Sequence, residues 1–319
     1  MPDTAPVTPA ISFAIPYYDN PGYLGQASRS VLAQTVHDWE LVVVDDAGPQ
    51  PAGELVKSFA DSRITYIRNP ENLGLTGNWN EAYRSTRAPL VTLLHGDDRL
   101  LPTYAERVLR AASRNPSVSA IFTDVNIIGP EGHRTWTIAD IAKRAARRDA
   151  GDHDIVGEGG LAALLSGNYI LCSTLCLRRE LLSGTPFDAR WRFVPDYDFT
   201  CGQLLAGNRL HGIREPLLEY RRHHGSQTSV LTGNATRFAE EIEFLKLMQS
   251  KTAALGWTRA ERIARRRVTV RGHLALRIGL DLGRGRIGPA RQKWRVLRSD
   301  IGTRDSSRPN DPDTQKRQE

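Results

Sequence analysis

The chain has 319 residues, a size that fits one large α/β domain with an appendage and allows a sizeable core. Hydrophobic residues make up 40% and charged residues 25%, which excludes general disorder and a collagen-like chain. Three cysteines cannot form a closed disulfide framework, so we expect a reducing compartment. Residues 1–10 lack a basic and an apolar segment, which argues against a signal peptide and predicts a flexible leader. The sequence contains no apolar run near the roughly 20 residues of a membrane span.

The net charge of +7 is concentrated near the C-terminus. Residues 259–298 contain 13 Lys and Arg against two acids, Glu261 and Asp281. Residues 299–319 carry four bases and five acids, and the other 258 residues have a net charge of −3. A basic segment beside a mildly acidic body predicts an anionic partner, either phospholipid or nucleic acid. Few aromatic residues interrupt the arginines, which argues against nucleic acid.

The first 125 residues alternate predicted strands and helices. Buried strands are predicted over residues 11–15, 40–46, 63–67, 90–98 and 119–123. Helices are predicted over residues 23–36, 54–60, 77–85 and 104–113. This order predicts a mainly parallel sheet with right-handed crossovers. Further on we expect a polar excursion over 130–160, a strand-like stretch over 164–181, and helices starting near Asp196 and around Phe238.

Two pairs of carboxylates follow predicted strands. Asp45 and Asp46 end the second strand, and Asp97 and Asp98 end the fourth. In parallel sheets the carboxyl ends of the strands share one edge, where ligands bind, so both pairs should lie there. Adjacent carboxylates can together bind a hard divalent cation, with substrate phosphates completing its coordination. Alternatively, one carboxylate can bind the metal while the other hydrogen-bonds a ribose. Either pair alone could equally cap a turn.

Two common nucleotide-binding motifs are absent from the sequence. The position after the first strand, where a dinucleotide fold needs G-x-G-x-x-G, contains the segment PYYDNPG. The sequence also contains no G-x-x-x-x-G-K-[ST] segment. A dinucleotide oxidoreductase and a P-loop enzyme are therefore disfavoured.

Seven segments, in order, resemble the family 2 glycosyltransferases of the GT-A fold. They are IPYYDN, SVLAQT, VVVDDAG, NLGLTGNWNEAY, HGDDRLLP, FDARWRFVPDYDF and EYRRHHGSQTS. Together they cover roughly residues 11–230. The resemblance implies a GT-A α/β fold with a mixed, mainly parallel sheet. It also implies transfer of a sugar from a nucleoside-diphosphate donor, with inversion at the anomeric carbon and help from Mn²⁺ or Mg²⁺.

The resemblance also implies roles for individual residues. Asp196 corresponds to the base that accepts the proton of the acceptor hydroxyl, and Asp198 is an acceptor-side candidate. Asp98 corresponds to a metal ligand, with His223 as a second candidate. The expected donor-nucleotide residues include a tyrosine that stacks on the base, an aspartate that binds the base and an aspartate near the ribose: Tyr18, Asp46 and Asp97, together with Pro16, Asn72, Gly74 and Asn78. Arg221 and Arg222 are candidates for the diphosphate.

The sequence departs from the family pattern at four places. Asp19 stands where asparagine is usual and Ala47-Gly48 where Gly-Ser is usual, and both departures bear on donor selectivity. His95 stands at a position that is often acidic, and Pro195 replaces the glutamate that usually precedes the catalytic aspartate. The departure at His95 also bears on donor selectivity, and the one at Pro195 weakens the assignment of Asp196.

We predict a catalytic domain over residues 11–232, with a nucleotide half to about 125 and an acceptor half beyond. A basic helical extension over 233–298 and a disordered tail over 299–319 follow. Four apolar residues of the extension share roughly 80° of a helix: Ile263, Val270, Leu274 and Ile278. This stripe could lie on an anionic membrane or pack on the catalytic domain.

The predicted function is that of a cytoplasmic enzyme, peripheral at the inner face of the cell membrane, acting on a glycan or lipid-linked acceptor in cell-envelope polysaccharide or glycolipid synthesis. A nucleotidyltransferase of related fold is one alternative. A non-catalytic module that binds sugar nucleotides or membranes is another. The combination of Asp97, Asp98 and Asp196 argues against the non-catalytic alternative.

Overall fold

The computed structural model describes residues 8–135, 151–223, 225, 231–232 and 235–302. The chain divides into two compact units, Met1–His223 and His224–Glu319. The predicted leader and tail fall mostly on residues 1–7 and 303–319, outside the described residues.

Unit 1 begins with alternating strands and helices. In chain order these are β1 Ile11–Tyr17, α1 Pro21–Leu32, β2 Trp39–Asp45, α2 Gly53–Lys57, β3 Ile64–Arg68, α3 Gly74–Arg84, β4 Leu90–Leu93, β5 Arg99–Leu100, α4 Tyr104–Arg114 and β6 Val118–Ile128. The described part then continues with β7 His153–Ile155, α5 Gly157–Ser166, β8 Cys176–Arg178, α6 Pro195–Leu205 and β9 Arg209–Arg221.

These nine strands form one mixed sheet in the order β3-β2-β1-β4-β8-β6-β9-β5, and β7 pairs with β9. The pairs β1–β2, β2–β3, β1–β4 and β6–β9 are parallel, whereas β8 runs antiparallel to β4 and β6. Every residue of β2 is buried, as expected for a parallel strand covered on both faces. The predicted fold class, a mainly parallel sheet flanked by helices, is confirmed.

Two predictions about the middle of the chain are wrong. The strand-like stretch over 164–181 begins inside α5 and contains only the short strand β8, flanked by 3₁₀ turns. The segment GEGGLAALLS buries Leu161, Ala162, Leu164 and Leu165, a helical spacing that a short apolar run does not reveal on its own. The polar excursion over 130–160 includes strand β7 and the start of α5, while residues 136–150 lie outside the described residues.

Unit 2 contains four helices in its described part: α7 Thr236–Ala254, α8 Thr258–Arg266, α9 Val268–Gly283 and α10 Ile287–Gly302. The single helix expected across 261–280 is wrong, because Arg267 adopts a left-handed conformation with φ 50° and separates α8 from α9. Val270 and Leu274 are buried in unit 2, so half of the predicted membrane stripe is a packing face. Among the helices of the described residues, none has the length and apolar character needed to cross a bilayer.

The turn after β2 contains two residues under tight backbone constraint. Ala47 has φ 54°, in the left-handed region where side chains other than glycine are strained. A Cβ on Gly48 would lie 1.5 Å from the carbonyl oxygen of Tyr18. The close approach of this turn to the end of β1 therefore depends on glycine at position 48.

We predict opposite effects of two small substitutions in this turn. Gly48→Ala should destabilise the protein by about 1–3 kcal/mol, because the added methyl group displaces the main chain of Tyr18. Ala47→Gly should be neutral or stabilising by up to about 1 kcal/mol, since relief of the left-handed strain opposes a larger unfolded-state entropy. Urea denaturation of both variants measures these free energies. Equal stability of Gly48→Ala and the parent protein would contradict the steric argument.

Candidate active site

The two acidic pairs lie at one edge of the sheet, as predicted. Strand β1 pairs in parallel with β2 on one side and β4 on the other. Asp45 is the last residue of β2, and Asp97 follows β4 by four residues. The carboxyl ends of these strands therefore bring both acidic pairs to the same edge.

The buried side chain of Asp45 stabilises the turn after β2 through hydrogen bonds. Its Oδ2 accepts hydrogen bonds from the Tyr66 hydroxyl at 2.5 Å and from Arg68 at 2.6 Å. Its Oδ1 accepts the main-chain N–H of Gly48 at 3.0 Å. Because both oxygens are occupied and the residue is fully buried, Asp45 is a structural residue.

Asp46 connects the end of β2 to the start of α3. Its Oδ1 accepts hydrogen bonds from Asn69 Nδ2 at 2.9 Å and from the main-chain N–H of Leu73 at 2.8 Å. Within the described residues its Oδ2 accepts no hydrogen bond, which leaves that oxygen for a ligand. Hydrogen bonds therefore compensate for the burial of only one of the two carboxylate oxygens.

The side chain of Asn78 links the ends of β1 and β2 to Asn69 through hydrogen bonds. Its Nδ2 donates to the main-chain oxygens of Val44 at 3.1 Å and Tyr17 at 3.3 Å, and its Oδ1 accepts from Asn69. The side chain is buried, and its contacts lie inside the protein. These contacts favour a positioning role for Asn78 over direct contact with a nucleotide.

Three of the predicted donor residues lie on the surface of this edge. The ring of Tyr18 is 47% exposed, directly after β1 and the half-buried Pro16. Asn72 is exposed and its Oδ1 accepts the N–H of Gly74 at 2.7 Å. Gly74, the exposed first residue of α3, has φ 75°, a conformation that favours glycine. An accessible aromatic ring and a helix start thus share this edge.

The chemical centre of the site is a group of one histidine and two aspartates. Ligand atoms of His95, Asp97 and Asp98 lie within 4.8 Å of one another. Asp98 is buried, and its oxygens accept hydrogen bonds from the Ser173 hydroxyl at 2.5 Å and the Arg221 N–H at 2.8 Å. Burial and the neighbouring charge of Asp97 raise the pKa of Asp98 well above its usual value.

Asp97 has the opposite electrostatic environment. His223 Nε2 lies 3.0 Å from Asp97 Oδ2, within hydrogen-bond distance. Burial alone would raise the pKa of Asp97, but the hydrogen bond with His223 and the nearby His95 hold it below its usual value. The structure thus places His223 beside Asp97, and its role as a metal ligand stays a prediction. Of the motif residues that follow His223, the structure describes only Gly225.

His95 is a candidate ligand that the sequence argument did not assign. Its ring packs on Trp79 with centroids 4.9 Å apart. Its Nε2 is buried and has no hydrogen-bond partner within the described residues. Burial lowers the pKa of the imidazole, which favours the neutral form that binds metals. The available signal was its position in HGDD, where the family often has an acid.

Asp196 lies in the first turn of α6, directly after Pro195. Burial raises the pKa of its carboxyl to about 6, although main-chain N–H groups of the helix start oppose the shift. Burial, and after it the negative charges of Asp196 and Asp98, raise the pKa of the Cys172 thiol well above its usual value. Both carboxylates therefore lie near enough to this thiol to act on it electrostatically. Asp198 lies about 200° further around the helix and faces another direction.

Comparison with known proteins identifies the family. The model described as "Glycosyl transferase family 2" matches residues 12–169. Residues 12–169 therefore form a family 2 glycosyltransferase domain. An uncharacterized glycosyltransferase of Methanocaldococcus jannaschii, MJ1057, is 29% identical over 224 residues, which cover 67% of this chain and 71% of the relative. For another curated relative, from Mycobacterium tuberculosis, the chain covers only 36% of that protein's length.

Solved structures share the fold of this glycosyltransferase. The mannosyltransferase PcManGT from Pyrobaculum calidifontis, in complex with GDP-Man and Mn²⁺, matches with a TM-score of 0.56 at 14% identity, covering 95% of this chain and 89% of that one. Staphylococcus aureus TarS 1–349, in complex with UDP-GlcNAc, matches with a TM-score of 0.55 at 15% identity, covering 92% of each chain. At these identities the likeness concerns the fold.

Arg221 supports the glycosyltransferase site from inside the protein, and the expectation that it meets a diphosphate is wrong. The residue is 1% exposed. Its guanidinium donates to the carbonyl oxygen of Asp97 at 2.8 Å, to that of Pro130 at 2.6 Å and to Gln26 Oε1 at 2.8 Å. Neither Gln26 nor Ser173 could be assigned from the sequence, because each meets the site only through the fold.

We predict that Arg221→Lys destabilises the enzyme by about 2–4 kcal/mol, because an ammonium group cannot reproduce the fork of hydrogen bonds and leaves buried carbonyls unpaired. The neighbouring Arg222→Lys is the matched control, and its effect should stay within about 0.5 kcal/mol because the side chain is exposed. Chemical denaturation of both variants gives the comparison. Similar losses for both would show that burial of Arg221 is unimportant.

Proposed function

We propose that this glycosyltransferase moves a sugar from a nucleoside-diphosphate donor to an acceptor hydroxyl, with inversion at the anomeric carbon. The observation that carries the proposal is the presence of two chemically distinct carboxylates that both act electrostatically on Cys172: Asp98 in the acidic centre, and Asp196 at the start of α6 with a pKa of about 6. A transferase of this kind needs both a charged centre for the leaving diphosphate and a base for the acceptor. The sugar nucleotides bound by TarS and PcManGT support the donor class.

The proposed donor site lies at the ends of β1 and β2. The exposed ring of Tyr18 offers a face on which a nucleobase can stack. Asp46 Oδ2 can accept a hydrogen bond from a base N–H, while Oδ1 remains held by Asn69 and Leu73. Pro16, Asn72 and Gly74 would shape the surrounding surface, and Asn78 would keep Asp46 and its loop in place.

A divalent cation fits the acidic centre chemically. His95, Asp97 and Asp98 would hold it through one nitrogen and carboxylate oxygens, with His223 positioning Asp97. Two observations support this fit: the buried His95 Nε2 has no partner within the described residues, and the charge of Asp97 acts unfavourably on Asp98. When bound there, a cation would neutralise charge on the leaving diphosphate.

Asp196 is proposed as the general base. A carboxyl with a pKa of about 6 is ionised near neutral pH and is more basic than an ordinary aspartate. It can therefore take the proton from the acceptor hydroxyl while that oxygen attacks the anomeric carbon. Burial raises the pKa of Asp196, and the main-chain N–H groups at the start of α6 limit that increase. A positioned base of this kind favours a transferase over a nucleotidyltransferase or a non-catalytic module.

The acceptor is proposed to be a glycan or a lipid-linked sugar in cell-envelope polysaccharide or glycolipid synthesis. The basic residues between 259 and 298 support this assignment, because they would bring a cytoplasmic enzyme to an anionic membrane that carries such acceptors. A screen of UDP and GDP conjugates by thermal shift, with and without Mn²⁺, would identify the donor.

We predict that Asp98→Asn weakens Mn²⁺ binding by at least about 10–100-fold, the loss typical of removing a residue that only supports a metal ligand, with little change in stability. Asparagine can accept the Arg221 N–H through its oxygen and donate to the Ser173 hydroxyl through its nitrogen, so the local hydrogen bonds survive while the charge is lost. Titration calorimetry with Mn²⁺ alone measures the affinity. Asp38→Asn, the same charge change at an exposed site, should bind like the parent. Unchanged affinity in Asp98→Asn would reject this metal site.

We predict that Asp196→Asn retains donor binding but slows transfer by about 10²–10⁴-fold, the usual contribution of a general base. In the parent enzyme the turnover rate should fall as the pH drops below about 6, because protonated Asp196 cannot accept a proton. This limb of the pH profile should be missing in Asp196→Asn.

The matched control is Asp198→Asn, on the same helix but a different face. Single-turnover transfer measured with saturating acceptor, beside donor affinity by calorimetry, separates chemistry from binding. Near-parental transfer by Asp196→Asn with loss in Asp198→Asn would move the base to Asp198. Loss of donor affinity in Asp196→Asn would favour a structural role.

A further inference from the structure

The outward face of α9 is apolar along most of the helix. Its charged residues are turned inward: Arg271 Nε donates to Asp300 at 2.6 Å, and the buried Asp281 accepts from Lys293 at 2.9 Å. Arg277 is also partly buried. The exposed large side chains are instead Val268, Leu276, Leu280 and Leu282. An ordinary surface helix has the reverse arrangement, with its charges toward water.

Helix α10, which contacts α9, continues the apolar surface. Ile287, Trp294 and Ile301 are each more than half exposed. They are spaced seven residues apart, so they form one line along the helix. Arg291 and Arg298 are also exposed, seven residues apart, and lie next to that line. An exposed row of large apolar side chains thus runs parallel to a row of arginines.

Within residues 259–298 the exposed charge is almost entirely positive. Both acids within residues 259–298 are occupied: Asp281 is buried with Lys293, and Glu261 pairs with Arg265 at 3.3 Å. Exposed cations surround them at Arg259, Arg262, Arg266, Arg284, Arg286, Arg291, Arg295 and Arg298. A second copy of the chain docked here would face this charge with the same charge, which is unfavourable. An anionic bilayer matches both the apolar side chains and the arginines, because its interior is apolar and its headgroups are negatively charged.

We infer that the exposed side chains of α9 and α10, namely Leu276, Leu280, Leu282, Ile287 and Trp294, form a membrane-docking surface for anionic phospholipid. The apolar side chains enter the boundary between headgroups and acyl chains, and Trp294 takes the interfacial position that tryptophan favours. The arginines contact lipid phosphates. This face lies opposite the stripe of Val270 and Leu274 expected from the sequence. The inference concerns binding to lipid and is independent of the proposed transfer reaction.

The experiment is co-sedimentation of the full-length protein with vesicles, without donor or acceptor. Vesicles of phosphatidylcholine containing phosphatidylglycerol should bind the protein, binding should weaken as salt rises, and pure phosphatidylcholine should bind at least about tenfold less. Leu276→Ser/Trp294→Ser should lower binding about tenfold or more, because two large apolar contacts are lost. Arg291→Gln/Arg298→Gln should lower it by roughly tenfold and reduce the dependence on salt.

Matched controls separate this surface from general effects. Val156→Ser/Leu255→Ser removes two other exposed apolar side chains, and Arg84→Gln/Arg110→Gln removes two other exposed arginines. Both should bind vesicles like the parent. Thermal unfolding checks that each variant is folded, which their exposure favours.

Two results would overturn the inference. One is equal vesicle binding by the parent and Leu276→Ser/Trp294→Ser. The other is lipid-free dimerisation of the parent that the same double substitution abolishes, since the surface would then belong to a second copy of the chain. Quenching of Trp294 fluorescence by brominated lipid, measured against Trp294→Phe, gives an independent reading of the docked position.

Discussion

The candidate active site depends on one buried arginine at the end of β9. The main-chain N–H of Arg221 holds Asp98, and its guanidinium holds the carbonyl oxygen of Asp97. The same guanidinium reaches Gln26 in α1 and the carbonyl of Pro130. A buried cation is tolerated only where its donors are satisfied, so this network fixes the loop after β4 with little freedom. The geometry of the acidic centre is therefore set by a residue that cannot itself touch the substrate.

The three carboxylates of the candidate site have three different electrostatic environments. Asp97 is kept acidic by His223, Asp98 is driven toward neutrality by burial and by Asp97, and Asp196 is made more basic by burial alone. Such divergence assigns different chemical tasks to identical side chains. It also supports the proposed cation, because a positive charge held by Asp97 and Asp98 would offset the repulsion that opposes ionisation of Asp98.

The part of the site carried by the parallel strands could be predicted from the sequence, because buried apolar runs and the acids that end them define β1, β2 and β4 without long-range information. The contributions of Ser173 and Gln26 could not, since they lie 75 and 195 residues from the groups they bind, Asp98 and Arg221. The prediction failed over 164–181 for a local reason: LLSGNYILC is apolar enough for a strand or a helix, and only packing decides between them.

In the C-terminal unit, the helical periodicity predicted from the sequence is present, but half of the apolar stripe expected at a membrane is buried inside the protein. The spacing of Val270 and Leu274 does mark one face of a helix, but both side chains are buried. The acids Asp281 and Asp300 are also buried, and Arg271 and Lys293 turn inward to neutralise them. Buried carboxylates therefore draw cations away from the surface of α9, and leucines remain there instead. Because burying an ion pair is costly, this arrangement stabilises the unit less than an apolar core would. What it creates is an outer face with apolar side chains at its centre and arginines at its margins, the two features on which the inferred docking surface rests.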